Sequence, residues 1–490
     1  MVNVRLVAIA FCCAFAVLCL ATIRPAESWG GGDFALYMMH AGNILAGRDY
    51  AATPFVFNPA NAMMSPRAYP AGYPLVLTPV IALFGPNVRA AAGVTALLMA
   101  GSLYLLFRLA RPSLGGRWAL LLLLAAGLSP VLMNHRDAVE SDVAFMFWCY
   151  LGLLCLREAR PVPLAVAVAM APLTRTIGFV LPIALALALV WQAWRARGRL
   201  DAGKAARRRS AVAVLAGTAA ALAVGAVLRA DSATYLSYFD RISPGGLPAL
   251  LARGALSYLS AVVELFGLSF GRLANAPVLA LLLAGIAWGF VLNVRRGDSA
   301  VELFVVLYLG LLLAYPVHSE PTRYALPVLP LLLVYGLGAA RAALAGSRLE
   351  RAGPAVMVVV FAAMYAPFYA THALFAPLSH RLDGPASQEL LAAVARIVPA
   401  DAVVMTQNPR AVALLTGRRA VSWPELPTAA SFWDSAARYQ ARYLLLDTAA
   451  PPAIRERVGL IVADSATRLS PAFANAEFRL LRIEPAVARQ

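Results

Sequence analysis

From residue 5 to residue 371 the chain alternates long apolar runs with short polar turns. A helix perpendicular to a bilayer needs about 20 apolar residues. At that scale the pattern predicts spans at 5–23, 88–107, 118–134, 142–156, 162–173, 177–193, 211–228, 276–293, 300–316, 323–340 and 354–371. The fourth and fifth are short and imply a locally thinned bilayer. Two further apolar stretches are read as lying along the membrane surface: Ala71–Phe84, which carries Pro74 and Pro79, and 256–270. The first run, Leu6 to Thr22 behind Arg5, has no small-x-small cleavage site after it and reads as an uncleaved span. After 371 the period changes. Ala402–Thr406, Tyr443–Asp447 and Phe478–Ile483 read as strands, and Ser387–Ile397 and Arg410–Thr416 as helices. The predicted fold is a polytopic α-helical membrane protein of about eleven transmembrane helices with a small C-terminal α/β domain. Residues 1–371 form the transmembrane module, with a first outer loop at 24–87, and 372–490 form the extracytoplasmic domain.

Composition agrees. Of 490 residues, 61% are hydrophobic and 14% charged, which excludes an ordinary soluble domain. The net charge of +17 does not point to nucleic acid, because Lys and Arg collect in cytoplasmic loops. Eleven spans place Arg108, Arg111 and Arg117, Arg157 and Arg160, the run from Arg195 through Arg197, Arg199, Lys204, Arg207, Arg208 and Arg209, then Arg295, Arg296, Arg341, Arg348 and Arg351 on one side. Adding either surface stretch as a span, or merging 162–193, would put the Arg207-Arg208-Arg209 cluster outside. The five cysteines, Cys12, Cys13, Cys19, Cys149 and Cys155, all fall inside apolar runs. That leaves no disulfide framework and no thiolate metal site.

The unusual polar residues then gather on the opposite side: Asp33 and His40; His135, Arg136, Asp137, Glu140, Ser141 and Asp142; Thr174 and Arg175; His318, Glu320 and Arg323. Asp33 follows the first span on a hinge of Gly30, Gly31 and Gly32. A solvated loop acid and ordinary salt bridges at loop ends are the plainer accounts of any one of these residues. Both signs recurring in four outer turns need more, since charge at membrane depth must pair or line a wet cavity. Arginine offers a planar fork suited to phosphate oxygens, and a carboxylate can take a proton from an attacking hydroxyl. The first outer loop is long and rich in aromatics, including Trp29, Tyr37, Tyr50, Tyr69 and Tyr73, which argues that it is folded.

Four stretches carry a family resemblance. GGGDFALYMMHAGNILAGRDY (30–50) with YPAGYPLVLTPVIALFG (69–85) resembles the first outer loop of GT-C glycosyltransferases, in the bacterial group related to protein O-mannosyltransferases and lipid A aminoarabinose transferases. NHRDAVESDVAFMFW (134–148), PLTRTIGFVLP (172–182) and EPTRYALPVLPLLL (320–333) resemble later motifs of that group, in the same order. The resemblance implies a polyprenyl-phosphate sugar as donor, Asp33 as catalytic base, Asp142 or its neighbour Glu140 as the second-loop acid, and Arg323, with Arg175, on the donor phosphate. Tyr37, His40, Tyr69, Arg136, His318 and Glu320 are the candidates to contact acceptor and substrate. No Lys-Pro-Pro-Leu-x-Tyr-Trp stretch follows the first loop, where Tyr69-Pro70-Ala71-Gly72-Tyr73-Pro74 stands instead, so lipid A specificity is not implied. No Asp-x-Asp pair lies near Asp33, so the resemblance does not call for a metal ion.

The expected activity is an inverting hexosyl or pentosyl transfer, with glycan, lipid or protein as acceptor and no nucleic acid partner. The expected location is a bacterial inner membrane, with site and C-terminal domain facing the periplasm. The segment Asn408-Pro409-Arg410 through Arg419 reads either as an acceptor contact or as a helix capped by Gly417, the second being favoured. A transporter or flippase for a lipid-linked sugar is the alternative. It would carry polar residues at mid-membrane and on both faces, with inverted repeats. A purely structural membrane protein would leave the clustering of Asp33, Glu140, Asp142 and Arg323 without a reason.

Overall fold

A computed structural model describes residues 3–24, 29, 32–61, 65–197, 203–228, 239, 246–268, 276–297, 300–347, 349–371, 380–448 and 452–484. Gly30 and Gly31 of the expected hinge, Arg199, Arg348, the last two residues of the 256–270 stretch and the expected boundary at 372 lie outside the described residues. The chain divides into two units. One holds Met1–Ile23, Ala92–Val227 and Ser232–Phe375; the other holds Arg24–Ala91, Leu228–Asp231 and Ala376–Gln490.

The first unit is a helical bundle. Among the described residues, seven helices are long and apolar enough to cross a membrane: Val4–Ala21, Val88–Leu114, Thr176–Arg195, Lys204–Val227, Leu247–Leu265, Ala276–Arg296 and Leu349–Thr371. Shorter apolar helices, among them Gly116–Gly127, Pro161–Thr174, Ala300–Ala314 and Leu329–Leu344, stand with them, as does Ser141–Arg157. Prolines explain several breaks. The span expected at 118–134 is two helices, because Ser129 caps a new helix that starts at Pro130. The span expected at 323–340 is likewise divided into Pro321–Ala325 and Leu329–Leu344.

Within this unit the basic turns meet at one end. Arg157 donates to the carbonyls of Arg108 and Leu109, and Arg296 and Arg341 both donate to the Ser113 carbonyl. The two bonds to Ser113 cap the last turn of Val88–Leu114, where carbonyls otherwise lack partners, and Pro112, which has no N–H, leaves the Arg108 carbonyl open for Arg157. The acids and arginines of the other turns sit at the far end of Ser141–Arg157, roughly 22 Å away at 1.5 Å per residue. The sorting of charge that the loops imply is therefore present in the bundle.

The stretch read as a surface segment, 256–270, belongs to the longer helix Leu247–Leu265, whose length would allow a span. Gly254 abuts Leu313 and His318, Tyr258 packs edge-on to His318, and Glu264 accepts a 2.6 Å hydrogen bond from Thr322. The helix is thus packed along the stretch 313–322, and Phe266 beyond it stacks on Phe361 of the helix Leu349–Thr371.

Helices in an apolar solvent associate through close packing rather than through the hydrophobic effect, and here glycines set the closest approaches. A Cβ on Gly217 would lie 2.4 Å from the Ala165 carbonyl oxygen, and one on Gly289 1.8 Å from that of Tyr335.

The second unit is built on a six-stranded sheet of order β1-β3-β2-β4-β6-β5, where β1 is Phe55–Val56, β2 Val403–Thr406, β3 Arg419–Val421, β4 Ala441–Asp447, β5 Leu469–Ala474 and β6 Phe478–Ile483. The first four are parallel, and β6 and β5 add antiparallel. Helices Pro409–Thr416 and Ala429–Arg438 make the crossovers that parallel strands require. Gly417, at φ +65°, ends the first of them in the left-handed conformation, as the favoured reading of that segment expects.

One boundary differs from expectation. The first outer loop, expected to belong with the transmembrane module, folds with the C-terminal residues. Its β1 is an edge strand of their sheet. Asn58 and Asn61 donate 2.8 Å bonds to the Ser422 and Trp423 carbonyls, and the Trp29 indole donates at 2.7 Å to Ser387. A two-residue strand has no pattern of its own to read, so this pairing is invisible in sequence.

Gly289→Ala should lower stability by roughly 1–3 kcal/mol, because a fixed backbone oxygen must move. Gly285→Ala on the same helix, where nothing lies within 4 Å, should be neutral or slightly stabilising. Thermal unfolding of the detergent-solubilised protein distinguishes the two.

Candidate functional site

The candidate residues form two clusters, one in each unit. In the first unit, Asp142 opens the helix Ser141–Arg157 and is 1% exposed. Both of its oxygens are engaged: Arg175 Nη1 bonds Oδ1, and Arg323 Nε donates to Oδ2 at 2.8 Å. Arg175 is the residue at which Pro161–Thr174 stops, after Pro172, and its guanidinium lies 5.6 Å over the Tyr324 ring. Arg323 also reaches Glu140 Oε2 at 3.4 Å and donates through Nη1 to Glu320 at 2.8 Å.

His135 closes the group, with Nδ1 3.4 Å from Glu140. Burial pushes the His135 imidazole toward neutrality, but its hydrogen bond to Glu140 and the charges of Glu140 and Asp142 prevail, so its pKa lies above the ordinary value. The partners are graded by exposure: the Asp142 side chain is 2% exposed, that of Glu140 26% and that of Glu320 50%.

In the second unit, Asp33 starts the helix Asp33–Leu45, where the helix dipole favours a negative charge. Its Oδ1 accepts from Tyr69 Oη at 2.5 Å and from Arg410 Nη1 at 3.0 Å. Aromatic packing holds this arrangement. Tyr37 meets Tyr69 and Tyr73 edge-on, with centroids 5.4 and 5.0 Å apart, and Tyr50 donates to the Tyr69 carbonyl at 2.8 Å. His40 lies 4.2 Å from the Tyr50 ring, fully buried, and neither ring nitrogen has a hydrogen-bond partner among the described residues. Burial, with a contribution from the Arg410 charge, lowers its pKa to about 3.

Several expected contact residues are thus structural in placement. Tyr37 and His40 are core of the second unit. Tyr69, buried itself, addresses Asp33 through its hydroxyl. Arg136 is 4% exposed and donates to Thr22 Oγ1, the Thr22 carbonyl and the Met133 carbonyl, tying the end of Val4–Ala21 to the turn before Ser141. His318 is half-buried against Tyr258, and Glu320 stands at the rim. Arg410 is the residue sequence reasoning did not assign to Asp33. Its one signal is Pro409, which predicts a helix start and so a donor side chain in a first turn. Among the described residues, no group of three or more His, Cys, Asp or Glu side chains is placed to hold a metal ion.

Asp142→Ala should cost about 3–5 kcal/mol, because it removes the shared, buried carboxylate from two half-buried arginines. Glu320→Ala at the exposed rim should cost less than about 1 kcal/mol. Detergent-solubilised thermal unfolding compares them. His40 gives a pH dependence of definite sign. Between about 6.5 and about 3 the unfolded chain holds a proton on this residue that the folded chain does not. Stability should therefore fall as pH drops through that window, by up to roughly 1.4 kcal/mol per pH unit. His40→Phe should flatten that slope in unfolding curves measured at successive pH values.

A family model for dolichyl-phosphate-mannose-protein mannosyltransferase matches residues 69–228. No curated protein matches the chain. Among solved structures, ArnT from Cupriavidus metallidurans in the apo state aligns with a TM-score of 0.60 at 14% identity, covering 97% of each chain. The same protein bound to undecaprenyl phosphate aligns at 0.58 and 14%, covering 99% of each. The archaeal oligosaccharyltransferase AglB from Archaeoglobus fulgidus, in complex with an inhibitory peptide and a dolichol-phosphate, aligns at 0.59 and 13%, covering 90% of this chain and 69% of its own. At such identity the likeness is one of fold. The chain has the polytopic fold of these GT-C membrane glycosyltransferases, and part of it, 69–228, matches the mannosyltransferase family model.

Proposed function

We propose that this protein is a membrane glycosyltransferase that moves a sugar from a polyprenyl-phosphate donor to an acceptor on the extracytoplasmic face of a bacterial inner membrane. The observation that carries the reading is the Asp33 carboxylate. It is partly exposed, stands at a helix start and is oriented by two donors, within a fold shared with proteins solved bound to undecaprenyl phosphate and dolichol-phosphate.

In this reading Asp33 takes the proton from an acceptor hydroxyl or amine as it attacks the anomeric carbon. The bond to the lipid phosphate breaks, and the phosphate leaves already anionic. Arginine can stabilise that charge without a general acid. Direct displacement inverts the anomeric centre.

The geometry of the first unit supports a division of labour there. Asp142, shared between Arg175 and Arg323, has both oxygens committed and serves to orient the two arginines. Arg323 holds its exposed partner, Glu320, through a surface ion pair of the kind that contributes little. A phosphate can take that place, exchanging one anion for another without uncovering Asp142.

Asp33→Asn, produced in a deletion strain, should reduce transfer by about 10²–10⁴-fold, the range for loss of a general base. Lipid and glycan mass spectrometry of the same strain should show one sugar mass missing from one envelope component. Full transfer by a stably folded Asp33→Asn variant would remove Asp33 from the chemistry. Accumulation of intact lipid-linked sugar with no dependence on Asp33 would favour the transporter.

A further inference from the structure

We propose that Arg410 is a positioning residue for Asp33, through which the C-terminal residues set the orientation of the base. The inference rests on the reading of Asp33 given above. Asp33 and Arg410 are 377 positions apart in the chain, so the contact exists only when the first loop and the C-terminal residues fold together.

The geometry is specific to the carboxylate. Arg410 and Tyr69 both bond Oδ1, at 3.0 and 2.5 Å. The terminal torsion of an aspartate is broad and roughly two-fold, so one hydrogen bond leaves the plane of the group free to swing. Two donors converging on one oxygen fix it, and a proton acceptor must have that plane fixed to meet an incoming hydroxyl.

Arg410 is itself held on several sides. Its guanidinium lies 5.5 Å from the Phe55 ring centroid and 5.3 Å from that of Tyr69, and its side chain is 8% exposed. Pro409 and Arg410 open the helix Pro409–Thr416, which sets where the side chain leaves the backbone. On the Asp33 side, Gly32 leaves room for it: a Cβ there would lie 3.2 Å from Arg410 Cδ. A planar cation between two rings with one N–H on a carboxylate is a task for arginine that lysine meets only in charge.

The test uses membrane vesicles from a deletion strain complemented with each variant, containing their own donor and acceptor, with product formation followed by mass spectrometry. Arg410→Ala should slow transfer by about 10²-fold, the scale on which a misplaced catalytic group is felt. Arg410→Lys should fall between it and the parent. Added guanidinium should restore part of the rate to Arg410→Ala and none to Asp33→Asn. The double variant Arg410→Ala/Asp33→Asn should be no slower than Asp33→Asn alone, since a residue acting through Asp33 has nothing left to act on.

The proposal is overturned if Arg410→Ala works within twofold of the parent while Asp33→Asn is inactive, an outcome that leaves the base assignment standing. It is also overturned if the double variant is clearly slower than Asp33→Asn, or if guanidinium restores nothing. Transfer by Asp33→Asn at the parental rate would instead defeat the base assignment itself. Where Arg410→Ala does not accumulate as folded protein, Arg410→Lys and Tyr69→Phe carry the test. Both running at the parental rate would overturn it, and both slow with parental melting temperatures would support it.

Discussion

A carboxylate that is 1% exposed cannot be left with half of its partners, and Asp142 has two. This pairing joins three places in the chain. They are the start of Ser141–Arg157, the break after Pro172 where Arg175 leaves its helix, and the short helix Pro321–Ala325 that precedes Leu329–Leu344. Each place is an interruption of an apolar segment. Continuous helices through 161–195 or 321–344 would carry the arginines elsewhere, and the desolvated charge of Asp142 would go unmatched. Breaking one arm of such a pair costs more than forming it gains. The interruptions are thus held by electrostatics, while close packing around glycines holds the rest of the bundle.

The second unit obeys the same rule with a looser grip. The first loop packs its own aromatics on one another, Tyr37, Tyr50, Tyr69 and Tyr73 among them. It extends that core by lending β1 to the edge of the C-terminal sheet and by burying Trp29 against Phe478, with centroids 5.2 Å apart. Asp33 is placed by that arrangement. Its helix packs through Tyr37 on Tyr69 and Tyr73, and Arg410 arrives from the helix that follows β2. The cost is visible at His40, whose ring is buried with no hydrogen-bond partner among the described residues. A group in that position stays neutral, and the fold is strongest where solution pH also favours neutrality.

Much of this was legible in the chain because it depends on period and on charge. Apolar runs mark the helices, the basic turns mark one end of the bundle, and Gly417 marks a helix end; the breaks at Pro130 and after Ala325 are not read from the apolar runs that contain them. Strand β6 and the end of β4 were readable from alternation. What was not legible are contacts between residues distant in sequence that no local pattern announces. The two residues of β1, the union of the first loop with the tail and the approach of Arg410 to Asp33 are all of this kind. Helix Leu247–Leu265 shows the limit from the other side. In the sequence part of it reads as a surface stretch, whereas its full length and composition fit a span, and its contacts at 313–322 are with residues distant in sequence. Tyr37 and His40 are core of the folded first loop, and Arg136 ties Thr22 to the turn before Ser141, placements that no local pattern announces.

Exposure orders the ionic groups by what they can do. Asp142, with a side chain 2% exposed, is fixed; its partners would have to be replaced together, and nothing in water can reach it to do so. Asp33, at 27%, is held but reachable, and Glu320, at 50%, is tethered by one pair near solvent. A reaction that takes a proton from an acceptor and receives an anionic leaving group needs two kinds of site. It needs a carboxylate that keeps its orientation while meeting a new donor, and a cation that can change partners cheaply. In the proposed reaction Asp33 would have the first property and Arg323 the second, and each is paired with a more buried neighbour: Arg410 for the carboxylate, Asp142 for the cation. In both pairs the buried half orients the half nearer solvent, the arrangement a site for that chemistry would need.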